Sequence, residues 1–78
     1  MPRYFFHLYD DMVVRDEDGR ELPDVEAASG EAIHNAKALA CAEVLQGHLN
    51  LRHRIEVEDE DGHHITTVRF GDVIALET

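Results

Sequence analysis

Six histidines, one cysteine and seventeen acidic residues are the side chains of this 78-residue chain that could bind a metal. A zinc site needs three or four such ligands that converge. The histidine spacing does not bring a set together, because adjacent His63 and His64 point to opposite faces of a strand and His34 lies two helical turns from Cys41. The sequence therefore predicts no metal ligands, and a metal-binding or cation-responsive regulator is kept as an alternative.

An Asp-Glu-Asp-Gly run occurs twice, at 16–19 and at 59–62, each time after a short β-branched stretch. Glycine supplies the positive φ of a tight reversal, and aspartates hydrogen-bond their own backbone there, so each run predicts a turn that ends a strand. An EF-hand has its glycine sixth and carboxylates at positions 1 and 12. Valines occupy both positions in both runs, so a weak cation site is the alternative to a plain turn.

Catalytic chemistry has little support in the residue types. Ser29 is the only serine, and the chain contains no glycine-rich phosphate loop and no nucleophile elbow. We expect Cys41 to be a packing or inert residue, since single thiols pack more often than they react. The sequence therefore predicts a non-enzymatic protein without catalytic residues and without a cofactor.

The charge balance restricts the classes of partner. Seventeen acidic against seven basic residues give a net charge of −10, and the basic residues are interleaved with carboxylates. Nucleic acid is therefore excluded as an expected ligand, and any partner attracted by charge should be basic. We expect no membrane span and no signal peptide, because no apolar stretch approaches 18 residues. A lone cysteine fits a reducing compartment, which predicts a cytoplasmic protein.

The periodicity predicts one α+β domain over residues 1–78. Strands are expected at 4–9, 12–15, 54–59 and 63–70, with a short extended piece at 20–22 and a helix from Asp24, its N-cap, to the stop at Gly47. This order predicts a four-stranded antiparallel sheet with the spatial order 2-1-3-4 and one helix packed on one face. The helix should dock through small side chains at helical spacing: Val25, Ala28, Ala32, Ala36, Leu39 and Ala40.

The first strand is apolar and aromatic on both faces, although only one helix exists to cover it. A second copy of the chain would supply the missing layer, so we predict a homodimer. Alternate residues of this strand point to opposite faces, and one assignment places Tyr4, Phe6 and Leu8 against the helix. The alternative is the inverted assignment, in which the other set faces the helix. In the first assignment, the predicted dimer interface consists of Phe5, His7 and Tyr9.

Several segments resemble a known family. They are Met-Pro-Arg-Tyr-Phe-Phe-His at 1–7, Arg-Asp-Glu-Asp-Gly-Arg-Glu-Leu-Pro-Asp at 15–24, the alanine-rich helix and Ile-Glu-Val-Glu-Asp-Glu-Asp-Gly at 55–62. The chain resembles, over nearly its whole length, a family of short bacterial proteins with a domain of unknown function. The resemblance implies no activity and no site residues.

A looser similarity, at the level of the fold, is to HicB-type antitoxins, which combine a small sheet, an acidic Pro-Asp segment and an alanine-rich helix. That resemblance implies a basic protein as partner. The predicted elements depart from the HicB pattern, because they include only a short extended piece where a third strand usually precedes the helix and no appended DNA-binding segment. The antitoxin-like domain is therefore an alternative to the homodimeric interaction domain.

Overall fold

Five strands and two helices make up residues 1–77, which the computed structural model describes; Thr78, the last residue of the predicted domain, lies outside the described residues. The elements are β1 Arg3–Tyr9, β2 Val13–Val14, β3 Arg20–Glu21, α1 Val25–Leu45, β4 Arg54–Asp59, β5 His64–Arg69 and α2 Phe70–Val73. Neither helix within residues 1–77 combines the length and the apolar character that a membrane span requires.

All five strands belong to one antiparallel sheet, with the order β2-β1-β4-β5. β4 pairs with β1 along 4–9, so β2 and β3 share the other edge of β1, where Val14 lies opposite Leu8 and Arg20 opposite Tyr4. The predicted sheet of four strands therefore needs correction, because the extended piece before Pro23 forms a fifth strand on that edge. A two-residue strand is too short to show a periodic pattern, and its pairing depends on the chain returning to β1.

The hairpin of β4 and β5 contains the bulge that the sequence allowed. Val57 lies opposite Thr66 and Glu58 opposite His64, so Ile65 is an extra residue between two pairs. An extra residue reverses the alternation of faces locally. Ile65 and Val68 therefore both pack against the core on the α1 side of the sheet.

The alanine stripe of α1 is the docking face, as predicted. Its fully buried residues are Ala28, Ala32, Ala36 and Ala40. Asp24 caps the first turn, since its Oδ1 accepts a hydrogen bond from the Ala27 N–H at 2.8 Å, and Gly47 follows the last turn with a φ of +90°. Val25 belongs to the predicted stripe but is 48% exposed, because it begins the helix beyond the edge of the sheet contact.

α2 differs from the prediction, which continued the last strand through Phe70. The strand ends at Arg69, whose N–H donates to the Asp72 Oδ2 at 2.9 Å and so begins a single helical turn. Phe70 is fully buried, and its N–H donates to the His53 carbonyl at 2.8 Å. The turn fixes the end of β5 against the segment that enters β4.

The helix covers only part of the sheet. α1 lies over β4 and β5, and the molecule measures 41 by 24 by 17 Å, which leaves room for one sheet and one helix layer. Four strands at about 4.8 Å spacing are roughly 19 Å wide, whereas a helix with its side chains is about 10 Å across. Two surfaces therefore lack a covering helix: the sheet face away from α1 and the β1–β2 half of the face beside it.

The alanine stripe makes a direct prediction. Ala36 is fully buried and Ala38 is exposed, two positions further along the same helix. We expect Ala36→Leu to lower the free energy of unfolding by about 1 to 3 kcal/mol, because added methylenes do not fit a filled interface. Ala38→Leu should change it by less than about 0.5 kcal/mol. Urea unfolding of the two variants measures this; equal stabilities would place the docking face elsewhere on α1.

Candidate functional site

The sheet face away from α1, called here the open face, contains the predicted interface residues. Tyr4 is part of the core and Phe6 and Leu8 pack against it, so Phe5, His7 and Tyr9 point to the open face. Phe5 and Tyr9 are half-buried, but His7 is only 3% exposed. His7 therefore lies on the predicted side of β1 but is covered within the single chain, and the interface of Phe5, His7 and Tyr9 stays a prediction.

His7 is buried because the first acidic turn folds over it. Its Nδ1 accepts a hydrogen bond from the Asp16 N–H at 3.0 Å. An amide can only donate, so the ring proton is on Nε2, which faces the Glu58 Oε1 at 3.5 Å. His7 is thus held as a hydrogen-bonded structural histidine between the turn and β4.

Asp16 replaces a missing strand at the outer edge of β1. Between β2 and β3 this edge has no strand partner, and the Asp16 Oδ2 accepts from the Phe6 N–H at 3.1 Å. Its Oδ1 accepts from the Asp18 and Gly19 N–H groups at 3.2 and 3.0 Å. Partial burial raises the carboxyl pKa, but these hydrogen bonds to the ionised form outweigh it and the pKa lies below the usual value.

The open face is also where opposite charges alternate. It carries Arg3, Arg15, Arg54 and Arg69, which are four of the seven Lys and Arg residues of the chain. The Arg54 guanidinium lies 4.3 Å from the centre of the Tyr9 ring, and Arg15 lies 3.9 Å from Glu58. The charge of this face is therefore close to balanced, although the chain as a whole is strongly acidic.

A second buried histidine, His53, forms a cluster that the sequence analysis did not identify. It lies just before β4 and is 7% exposed. Its Nδ1 is 2.6 Å from the Glu43 Oε2, its ring meets Phe70 edge-on with centroids 5.7 Å apart, and its Nε2 is 3.6 Å from the Asp11 Oδ1. The cluster joins the end of α1, the β1–β2 turn and the start of β4.

The charges around His53 favour its protonated form. Burial lowers its pKa, but the hydrogen bond and charge of Glu43, with the charges of Asp11 and Asp10, outweigh burial and raise the pKa above 6.5. For Glu43, burial raises the pKa, whereas the Asn50 N–H and His53 lower it below 4.5 overall. The Nε2 is buried and has no hydrogen-bond partner among residues 1–77. The pair is therefore a buried salt bridge.

A sequence signal for His53 existed. Ile55 and Val57 were predicted to point inward, and strand alternation carried back two residues places His53 on the same face. The partner could not be inferred from the sequence, because Glu43 is ten positions away and its approach depends on how the loop after Gly47 packs. Cys41, by contrast, is exposed on α1, so it does not pack in the core, and the alternative expectation of an inert thiol stays a prediction.

The second acidic turn brings three potential cation ligands together. Oxygen or nitrogen atoms of Asp59, Asp61 and His63 lie within 4.8 Å of one another. The turn itself uses the Asp59 carboxylate, since Oδ1 accepts from the Asp61 and His63 N–H groups at 2.9 Å and Oδ2 lies 3.2 Å from the His63 ring. The His63 N–H, first among these, lowers the Asp59 pKa. Turn hydrogen bonds account for the cluster.

An apolar groove lies beside α1, on the half of the sheet that the helix leaves uncovered. One hollow, of about 260 Å³, lies between β1 and α1, and a second, of about 450 Å³, lies between β1 and the 14–18 segment. Leu8 lines both, as well as a third near the end of α1, so the three hollows adjoin one another at this residue. The floor consists of Phe6, Leu8, Val14, Ala38, Leu39 and Ile55.

The two acidic runs provide a matched test of the open face. Gly19 and Gly62 both have positive φ, +69° and +82°, so alanine at either position costs about 1 to 2 kcal/mol in backbone strain. A Cβ at Gly19 would also lie 2.8 Å from the Phe5 ring, whereas one at Gly62 meets open space. We expect Gly19→Ala to lower the free energy of unfolding more, by about 1 to 3 kcal/mol. Equal losses in urea unfolding would contradict this packing.

The His53 cluster predicts how stability depends on pH. A raised His53 pKa gives stabilisation that is complete below about pH 6.5 and is lost as pH rises through the folded-state pKa. The lowered Glu43 pKa gives stabilisation that is complete above about pH 4.5 and is lost on acidification. We therefore expect the free energy of unfolding to fall between about pH 6 and pH 8, with a smaller slope in His53→Gln and in Glu43→Gln.

His34→Gln is the control, because His34 is exposed on the far side of α1. It should keep the wild-type slope. A buried pair is screened less than surface charges, so the slope that depends on His53 should persist in about 0.5 M salt. A slope that salt abolishes, or one that His53→Gln leaves unchanged, would show that general repulsion controls the pH dependence.

Comparison with known proteins concerns almost the whole chain. Neither curated proteins nor solved structures give a match. The family described as "Domain of unknown function (DUF6894)" matches residues 3–71, which includes all five strands and α1. A similarity to HicB-type antitoxins is not shown. Because the match covers far more than half of the 78 residues, the chain belongs to the DUF6894 family of domains of unknown function.

Proposed function

We propose that this chain is a non-enzymatic protein-interaction domain that forms a homodimer through the open face. The observation that carries the proposal is that Phe5 and Tyr9 remain half-exposed on a sheet face that no helix covers among residues 1–77. A soluble domain normally buries one sheet face and keeps the other polar. Aromatic side chains in the middle of the polar face favour a partner surface there.

Charge supports self-association at this face more than at any other. Two chains of net charge −10 repel each other, and a dimer must bring together surfaces that do not add to the repulsion. Arg54 and Arg15 offset Glu56 and Glu58 on the open face. A two-fold axis through the face would place arginines of one copy near carboxylates of the other.

The size of the face indicates a weak dimer. Four strands at about 4.8 Å and six residues at about 3.3 Å give a face of roughly 20 by 20 Å, or about 800 Å² for two copies. Stable interfaces bury about 1,200 to 2,000 Å². The dimer should therefore dissociate on dilution. The free Cys41 thiol fits a reducing compartment, which supports a cytoplasmic location for the protein.

Light scattering coupled to size exclusion, over a dilution series, tests the homodimer. We expect the wild type to pass from dimer to monomer on dilution, and Phe5→Ser and Arg54→Glu to be monomeric throughout with unchanged helix content by circular dichroism. Val44→Ser is the control, since Val44 is equally apolar and 57% exposed, but lies on α1. A wild type that is monomeric at the highest concentration, or a dimer that both open-face variants retain, would overturn the proposal.

A further inference from the structure

The groove beside α1 has the dimensions of a missing helix. One helix is about 10 Å across and covers two strands, so a sheet about 19 Å wide has room for a second helix next to α1. In this chain that position is the groove, above β1 and β2. α1 leaves space there because Ala38 and Ala42, which line it, are small.

The middle of the groove is apolar, whereas charged and polar residues line both of its ends. Leu8, Leu39 and Phe6 are only partly covered by the rest of the chain, although they pack on the core. Val14, which lies opposite Leu8, is 54% exposed at the outer edge of the floor. Exposed apolar residues that adjoin a partly covered core indicate a binding surface more strongly than scattered ones.

Carboxylates flank the groove at both ends. Asp10 is exposed at the hollow near the end of α1, where Glu43 is already paired with His53, and the exposed Glu17 and Asp18 line the hollow beside Phe6. Their separation follows from β1, which runs between them for about five residues, or roughly 16 Å. Among all residues that line the three hollows, the one cation is Arg15, which already lies near Glu58 on the open face.

A second copy of this chain does not offer a suitable occupant. α1 carries Glu26, Glu31 and Glu43 against a single Lys37, and α2 has only four residues with Asp72 among them. Either helix in the groove would bring acidic side chains to an acidic rim. Like charges placed together across an interface oppose binding, whereas complementary charges fix the partner and its register.

We propose that the groove binds an amphipathic helix of a different protein, with apolar residues on one face and Lys or Arg near both ends. About three turns of helix span the roughly 16 Å from Asp10 to the Glu17 and Asp18 pair. The apolar face covers Phe6, Leu8 and Val14, and the terminal cations meet the rim. This binding is on the opposite side of the sheet from the homodimer and does not depend on it.

The test uses the full chain and a synthetic peptide of about four helical turns, with Leu at positions i, i+3, i+4 and i+7 and Lys near both ends. Calorimetry should show one site per chain. A peptide of the same composition in scrambled order, and one with Glu in place of Lys, should each bind at least about tenfold more weakly. Binding of the basic peptide should weaken as salt rises.

Variants of the chain locate the site. Val14→Glu and Ala38→Glu should each lower the affinity for the peptide by about tenfold or more, because both put a negative charge on an apolar surface of the groove. Val25→Glu is the matched control: it adds the same charge to an exposed valine of α1 outside the groove and should change affinity by less than about twofold. The double variant Glu17→Gln, Asp18→Asn removes two of the negative charges beside the groove, so the affinity for the peptide should depend less on salt.

Three results would overturn this proposal. Equal binding of the scrambled peptide, or equal weakening by Val25→Glu and Val14→Glu, would show attraction to general negative charge only. Absence of peptide binding would overturn it as well. If Val14→Glu then converted a dimer to a monomer in light scattering, the occupant of the groove would be a second copy of the chain. The open-face variants Phe5→Ser and Arg54→Glu test the homodimer separately.

Discussion

The packing of one alanine-lined helix on two strands is the contact on which the rest of the structure depends. Four fully buried alanines let α1 approach β4 and β5 closely, together with Ile55, Val57 and Val68 in one core. Small side chains give close approach but little buried area, so each larger residue in this core carries a large share of the stabilisation. The same contact leaves β1 and β2 without a helix, which creates the groove.

Short polar contacts hold the parts that the core does not reach. The Asp16 carboxylate accepts a hydrogen bond from β1 at its outer edge, and the Asp16 N–H donates one to His7. Glu43 binds His53 at the point where three segments meet. Both histidines are buried, but their roles differ. His7 accepts a hydrogen bond from the Asp16 amide, whereas the carboxylates on either side of His53 favour its protonated form. A net charge of −10 would destabilise a domain of this size if such contacts did not neutralise part of it locally.

The two faces of the sheet therefore differ in charge and in shape. The open face has nearly balanced charge, which suits a weak association between identical copies. The groove is concave, apolar and flanked by carboxylates, which suits a basic helix from another chain. Four of the six arginines lie on the open face, whereas carboxylates flank the groove, so the two surfaces differ in charge.

The sequence by itself determined the elements whose signals are local: the aromatic strand β1, the helix from its Asp24 cap to Gly47, the alanine stripe, and the turns at both acidic runs. These follow from hydrogen bonds and periodicities within a few residues. Tertiary structure alone decided that the first acidic turn covers His7 while the second stays in solvent, although their sequences are identical. It also decided the pairing of β3, the Glu43 and His53 contact, and the side of β1 left uncovered, because each depends on segments that meet only after the helix has docked.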